Sequence, residues 1–136
     1  ASAGSYQTRT LNTVKENSIS GASLSSNRIT LPTGTYDIEW FANTFSTAGE
    51  MSRNKSRIQS VSGASVSIIG SSEYTEASNA EPMSNRSYGF SRFTVASPTT
   101  IELQHRVETS RPGNGFGEST NFGDIEVYAD VRIWKV

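Results

Sequence analysis

Along most of the chain apolar and polar residues alternate one by one, and no window keeps an apolar repeat of 3.6 residues over three turns. This pattern predicts strands throughout. The clearest run covers residues 100–108, where Ile101, Leu103, His105 and Val107 oppose Glu102, Gln104, Arg106 and Glu108. It puts the chain's single histidine on an apolar face. Over residues 35–45, Tyr36, Ile38, Trp40 and Ala42 share one face, and Asp37, Glu39, Phe41, Asn43 and Phe45 share the other. Further strands are expected over 6–14, near Ala22, over 28–31, 56–61, 66–70 and 86–96, and from Ile125 to the end. Pro32-Thr33-Gly34 and Ser97-Pro98 are read as turns, because proline fixes one corner and glycine accepts an awkward one. Long polar connections fall at 15–27, 46–55 and 71–85. Eight to ten short strands separated by turn signals predict an all-β chain: an antiparallel jelly-roll sandwich in a single domain, 1–136, with residues 1–7 as a flexible arm.

The glycine-rich stretch P-G-N-G-F-G-E-S-T-N-F-G-D, from Pro112 to Asp124, raises the question of a phosphate cradle. A cradle of that kind opens a helix and usually carries a lysine, whereas here an alternating segment follows. The stretch is therefore expected to be a loop leading into the last strand. Its glycines permit positive φ, and Phe116 and Phe122 are spaced to pin it or to touch a partner, pinning being favoured. Asn114, Phe116, Asn121 and Phe122 form the candidate partner-binding loop. Oxygens of Asn114, Glu118, Asn121 and Asp124 could surround a calcium ion, although no calcium motif is present.

Composition narrows the chemistry. The 136 residues suffice for one well-buried core. The net charge of −1 is scattered along the chain and leaves no electrostatic footprint for nucleic acid or an anionic membrane. There is no run of about 18 apolar residues. The first residues lack a signal-peptide layout and would suit either a complete small protein trimmed of its initiator Met or an excised domain. With no cysteine, one histidine and three aspartates, Asp37, Asp124 and Asp130, the chain offers no nucleophile-base pair and no zinc site. A lone histidine on an inward strand face is usually a hydrogen-bonded core or interface residue. Asp37 and Glu39 share a strand face beside Phe41, but exposed faces are ordinarily charged. Neither catalysis nor a cofactor is expected.

One feature departs from a plain monomeric sandwich. Phe41 and Phe45 on one strand, and Tyr128 and Trp134 on the last, sit on faces that are otherwise polar. Aromatics there are expected to be covered by another copy of the chain.

The runs T-R-T-L-N-T, L-P-T-G-T-Y, I-I-G-S-S-E-Y, N-R-S-Y-G-F-S-R-F-T, I-E-L-Q-H-R, N-G-F-G with N-F-G, and E-V-Y-A-D-V-R-I-W-K-V, in that order, resemble a small phage structural-protein domain. That domain is related to the tumour-necrosis-factor and complement-head jelly rolls. The resemblance spans residues 8–136. Where similar sequences read H-Q-A-R-L, this chain reads N-K-S-R-I at residues 54–58, so a histidine is missing. The resemblance implies a homotrimer with the last strand near the threefold axis, and Phe41, Phe45, His105, Tyr128 and Trp134 are the expected interface residues. It implies a non-enzymatic bacteriophage virion protein, a capsid decoration (cement or head-fibre) protein bound to the major capsid protein; residues 1–7, a short arm of small residues able to order against a partner, are the expected anchor. The alternative is a receptor-binding fibre tip active in viral attachment to a host surface glycan or protein.

Overall fold

A computed structural model describes residues 1–47, 53–74 and 82–136. Among these the chain forms nine strands and no helix. They are β1 (Gln7–Thr8), β2 (Ser23–Ser25), β3 (Arg28–Leu31), β4 (Gly34–Ser46), β5 (Arg53–Ser62), β6 (Ser67–Tyr74), β7 (Met83–Val95), β8 (Thr99–Val107) and β9 (Ala129–Lys135). The strands pair antiparallel in two sheets: a larger one in the order β2-β3-β8-β5-β6 with β1 also on β8, and a smaller one in the order β7-β4-β9. The protein is an all-β sandwich.

The alternation that predicted β4 and β8 also fills the interior. Tyr36, Ile38, Trp40 and Ala42 of β4 meet Ile101 and Leu103 of β8 and Ile58 of β5, with Leu31 and Val95 closing the ends. The Tyr36 hydroxyl donates to the Pro32 carbonyl at 2.7 Å, which closes the turn between β3 and β4.

In the middle of β7 the inward face is built from small residues. Trp40 lies directly opposite Gly89, and a Cβ on Gly89 would come within 2.3 Å of the indole ring. Only a hydrogen fits there, so Ser87, Gly89 and Ser91 must face inward. Tyr88, Phe90 and Arg92 consequently face outward. Next to the indole, Trp40 Nε1 donates to Ser56 Oγ at 2.8 Å, and Ser56 and Ser87 share a hydrogen bond of 2.8 Å. Ser87 Oγ donates on to the Ser71 carbonyl, fixing β6 across the edge of β7.

Three expectations are corrected. The first strand covers only Gln7–Thr8, because beyond Arg9 the Leu11 N–H bonds the Asn27 side chain instead of a neighbouring strand. The last strand begins at Ala129 and not at Ile125, because Glu126 turns back to bond the preceding loop. The segment 1–7 is not a free arm. It is docked on β8: Ala3 bridges Val107, Ala3 N–H donates to Ser110 Oγ, and Arg111 N–H donates to the Ala1 carbonyl. The polar loop expected over 71–85 is shortened from both sides by β6 and β7, and residues 75–81 lie outside the described residues, as do 48–52 of the loop expected over 46–55.

Candidate functional site

The outer face of the β7-β4-β9 sheet is set by register. Across the three strands run the rows Arg92–Asp37–Trp134, Phe90–Glu39–Arg132 and Tyr88–Phe41–Asp130. Arg92 grips Asp37 through two hydrogen bonds, 2.8 and 3.0 Å, and this contact holds the Asp37 carboxyl below its ordinary pKa. Phe41 is half-buried because the Arg86 guanidinium lies 3.9 Å above its ring. Tyr88, Phe90 and Trp134 stand 61, 70 and 50 % exposed on this one face. Large apolar side chains clustered on a strand face usually mark an interaction surface, whereas scattered single ones do not.

Inside the sandwich lies a polar centre around Arg9, which is 3 % exposed. Its guanidinium donates to the carbonyls of Asn43 (2.7 Å), Phe116 (3.0 Å) and Tyr128 (3.1 Å), and to His105 Nδ1 (2.9 Å). Arginine can only donate, so Nδ1 is bare and the ring proton sits on Nε2. From there it is donated to Asn54 Oδ1 at 2.8 Å. Asn54 in turn donates to Thr44 Oγ1 and Asn85 Oδ1. Phe116 supports both partners, with Arg9 4.2 Å above its ring and the His105 ring stacked on it at 5.4 Å. Every buried side-chain N and O atom among the described residues has a partner. Burial lowers the Arg9 pKa to about 10, which leaves it charged at neutral pH.

The glycine-rich loop is organised by carboxylate and ring contacts. Glu126 accepts from Ser119 Oγ, from the backbone and hydroxyl of Thr120 and from Asn121 N–H, bonds that pull its pKa down. Asn114 accepts from Arg111 and donates to Glu118. Gly117, at φ +146°, is required by packing, since a Cβ there would collide with the Tyr128 ring at 2.1 Å. Phe122 and Ile125 project from this braced loop, 84 and 83 % exposed.

No protein family and no curated protein sequence matches the chain.

The expected interface residues thus separate. Trp134 and Phe41 are on the outer sheet face as predicted. Phe45 is on the same face but half-buried, with the Arg111 guanidinium 5.2 Å over its ring. Tyr128 packs against Gly117. His105 is fully buried between the sheets with partners from its own chain, so it lines no subunit surface. Tyr88 and Phe90, which were not among the expected residues, stand exposed on the same sheet face. In the candidate loop Phe116 pins and Phe122 projects, while Asn114 and Asn121 hold the loop itself. Of the oxygens suggested for calcium, those of Asn114, Glu118 and Asn121 bond within the chain, and no group of three or more His, Asp or Glu suited to a metal occurs among the described residues. Asn54 Oδ1 accepts the hydrogen bond from His105 Nε2.

His105 gives a testable pH dependence. Burial first, and the Arg9 charge second, push its pKa down to about 3, whereas an unfolded histidine titrates near 6.5. As pH falls below 6.5 the unfolded chain takes up a proton that the folded chain refuses, so stability is full above that value and drops on the acid side. The expected loss is about 1.5 kcal/mol between pH 6.5 and 5, where most carboxylates are still ionised. Urea unfolding at the two pH values measures it. The His105→Gln variant should flatten the slope.

Proposed function

We propose that the protein is a non-enzymatic, homotrimeric virion component of jelly-roll type, decorating the capsid surface of a bacteriophage. The observation that carries self-association is the outer face of the β7-β4-β9 sheet, where Tyr88, Phe90 and Trp134 stand exposed beside Phe41. Three copies packing these faces around an axis bury the aromatics. The virion assignment rests on the ordered motifs that resemble phage structural proteins. The non-enzymatic character agrees with a histidine that is sealed in the core and hydrogen-bonded through both nitrogens. With the first residues docked on β8, attachment to the capsid protein falls to exposed surface elsewhere on the sandwich.

Sedimentation equilibrium at micromolar concentration is expected to return three times the chain mass. The double change Tyr88→Glu and Phe90→Glu should give a folded monomer, since both side chains are exposed within the chain and truncated interface-centre aromatics commonly cost about 2 kcal/mol or more each. A wild-type monomer overturns the trimer. Labelling of intact virions decides location, with copies over the whole shell expected. The second reading, a receptor-binding fibre tip, is favoured by Phe122 and Ile125 projecting from a loop that Glu126 braces, and it predicts label confined to the tail.

A further inference from the structure

The two edges of the smaller sheet differ. At β7 the edge is closed by β6, whose Ser71 Oγ accepts from Tyr88 N–H at 3.0 Å and whose Ser71 carbonyl accepts from Ser87 Oγ. At β9 the edge is open. Asn43 N–H donates to the Tyr128 carbonyl and Val136 N–H to the Thr35 carbonyl, so the even-numbered residues of this segment direct their backbone groups toward β4. The odd-numbered ones, Ala129, Val131 and Ile133, direct theirs away. Among the described residues no strand and no side chain bonds these outward N–H and C=O groups. An unshielded strand edge is a template for another strand, and β9 carries no proline or bulge to blunt it. Alongside runs a cleft of about 840 Å³ between β9 and the irregular segment 10–19. Its walls include Leu11, Val14, Ile19, Leu31, Val131 and Ile133.

We infer that this edge receives an extended segment of a partner protein, which adds a strand beside β9 and carries the alternation apolar–acidic–apolar. The backbone groups decide the class of occupant: an acyl chain or other apolar ligand would seal outward N–H and C=O groups without partners, which is costly, whereas a polypeptide strand pairs them. Alternation decides the side chains. Residues opposite Val131 and Ile133 point into the apolar cleft, and the residue between them stands opposite Arg132 on the solvent side. Arg132 is 61 % exposed and sits 3.5 and 3.9 Å from Glu39 and Asp130, loose contacts that leave its guanidinium able to meet an incoming carboxylate. The one exposed apolar–acidic–apolar segment that a second copy would offer among the described residues is not free to supply this strand. That segment, Ile125-Glu126-Val127, has the right alternation, but Glu126 is already engaged by Ser119, Thr120 and Asn121. The inference does not depend on the trimer, whose contact centres on β7 and β4.

The test titrates the intact protein with a synthetic peptide about six residues long, a common strand length, centred on Val-Glu-Ile. Trp134 fluorescence reports binding, and amide exchange at Val131 and Ile133 reports edge pairing. The expected result is a saturable signal with slowed exchange at both amides. Arg132→Glu, a change at an exposed site, should weaken binding about tenfold, and a Val-Lys-Ile peptide should restore it. Absence of saturation overturns the site. Equal affinity for the two peptides on the wild-type protein overturns the acidic partner. Amides already protected in the free protein, together with a dimeric mass for the Tyr88→Glu, Phe90→Glu variant, would assign the edge to a second copy and overturn a foreign strand.

Discussion

Replacing Arg9 with methionine is expected to destabilise the fold by at least about 4 kcal/mol, a large share of the roughly 5–15 kcal/mol that holds a domain of this size. Methionine approximates the stem but donates nothing. The carbonyls of Asn43, Phe116 and Tyr128 and the Nδ1 atom of His105 would lose their donor together, in a region where Arg9 itself is 3 % exposed. An orphaned buried acceptor costs about 1–3 kcal/mol, and water can recover only part of that for the carbonyls nearest the surface. Lysine is expected to fare little better, since one ammonium cannot reach four acceptors spread over β4, β8 and the glycine-rich loop. Denaturant titration of Arg9→Met and Arg9→Lys measures both. Midpoints within about 1 kcal/mol of wild type would show that the network contributes little.

Trp40→Ala is the second large effect, expected at about 3–5 kcal/mol. It empties the space over Gly89 between the two sheets and leaves Ser56 Oγ without the indole donor. Gly89 makes the test more pointed. In the wild-type protein Gly89→Ala drives a methyl into the indole ring and should cost about 1–3 kcal/mol. In the Trp40→Ala background the same methyl enters a void, and the change should be neutral or stabilising. A double-mutant cycle with no coupling between the two positions would mean that the indole does not set the face of β7.

That pair also marks how far the sequence was legible. The inward residues of β4 and β8 follow from alternation alone, because one face of each is uniformly apolar, and His105 was placed inside for that reason. In β7 both faces mix polar and aromatic residues, and the choice falls to Gly89 meeting Trp40, a contact between strands that no single-strand pattern contains. Tyr88 and Phe90 were therefore passed over as surface candidates. Arg9 was illegible for a different reason: a cation among threonines reads as exposed, and its acceptors are backbone carbonyls, which every residue possesses. The start of β9 was misplaced because Ile125 and Val127 continue the alternation, while Glu126 between them is needed by the loop.

The reach of Arg9 bears on how the chain is made. Its acceptors lie at positions 43, 105, 116 and 128, so the polar centre is completed by contacts as many as 119 residues apart. A nascent chain carrying β1 to β8 already has most of its apolar core, yet its buried guanidinium would lack the Tyr128 carbonyl, and β4 would lack β9 as a neighbour. Closure must wait until the segment around Tyr128 has emerged from the ribosome. Contacts this distant make for slow folding, and through that interval the flank of β4 stands uncovered, which makes the chain still lacking β9 the stage most in need of a chaperone.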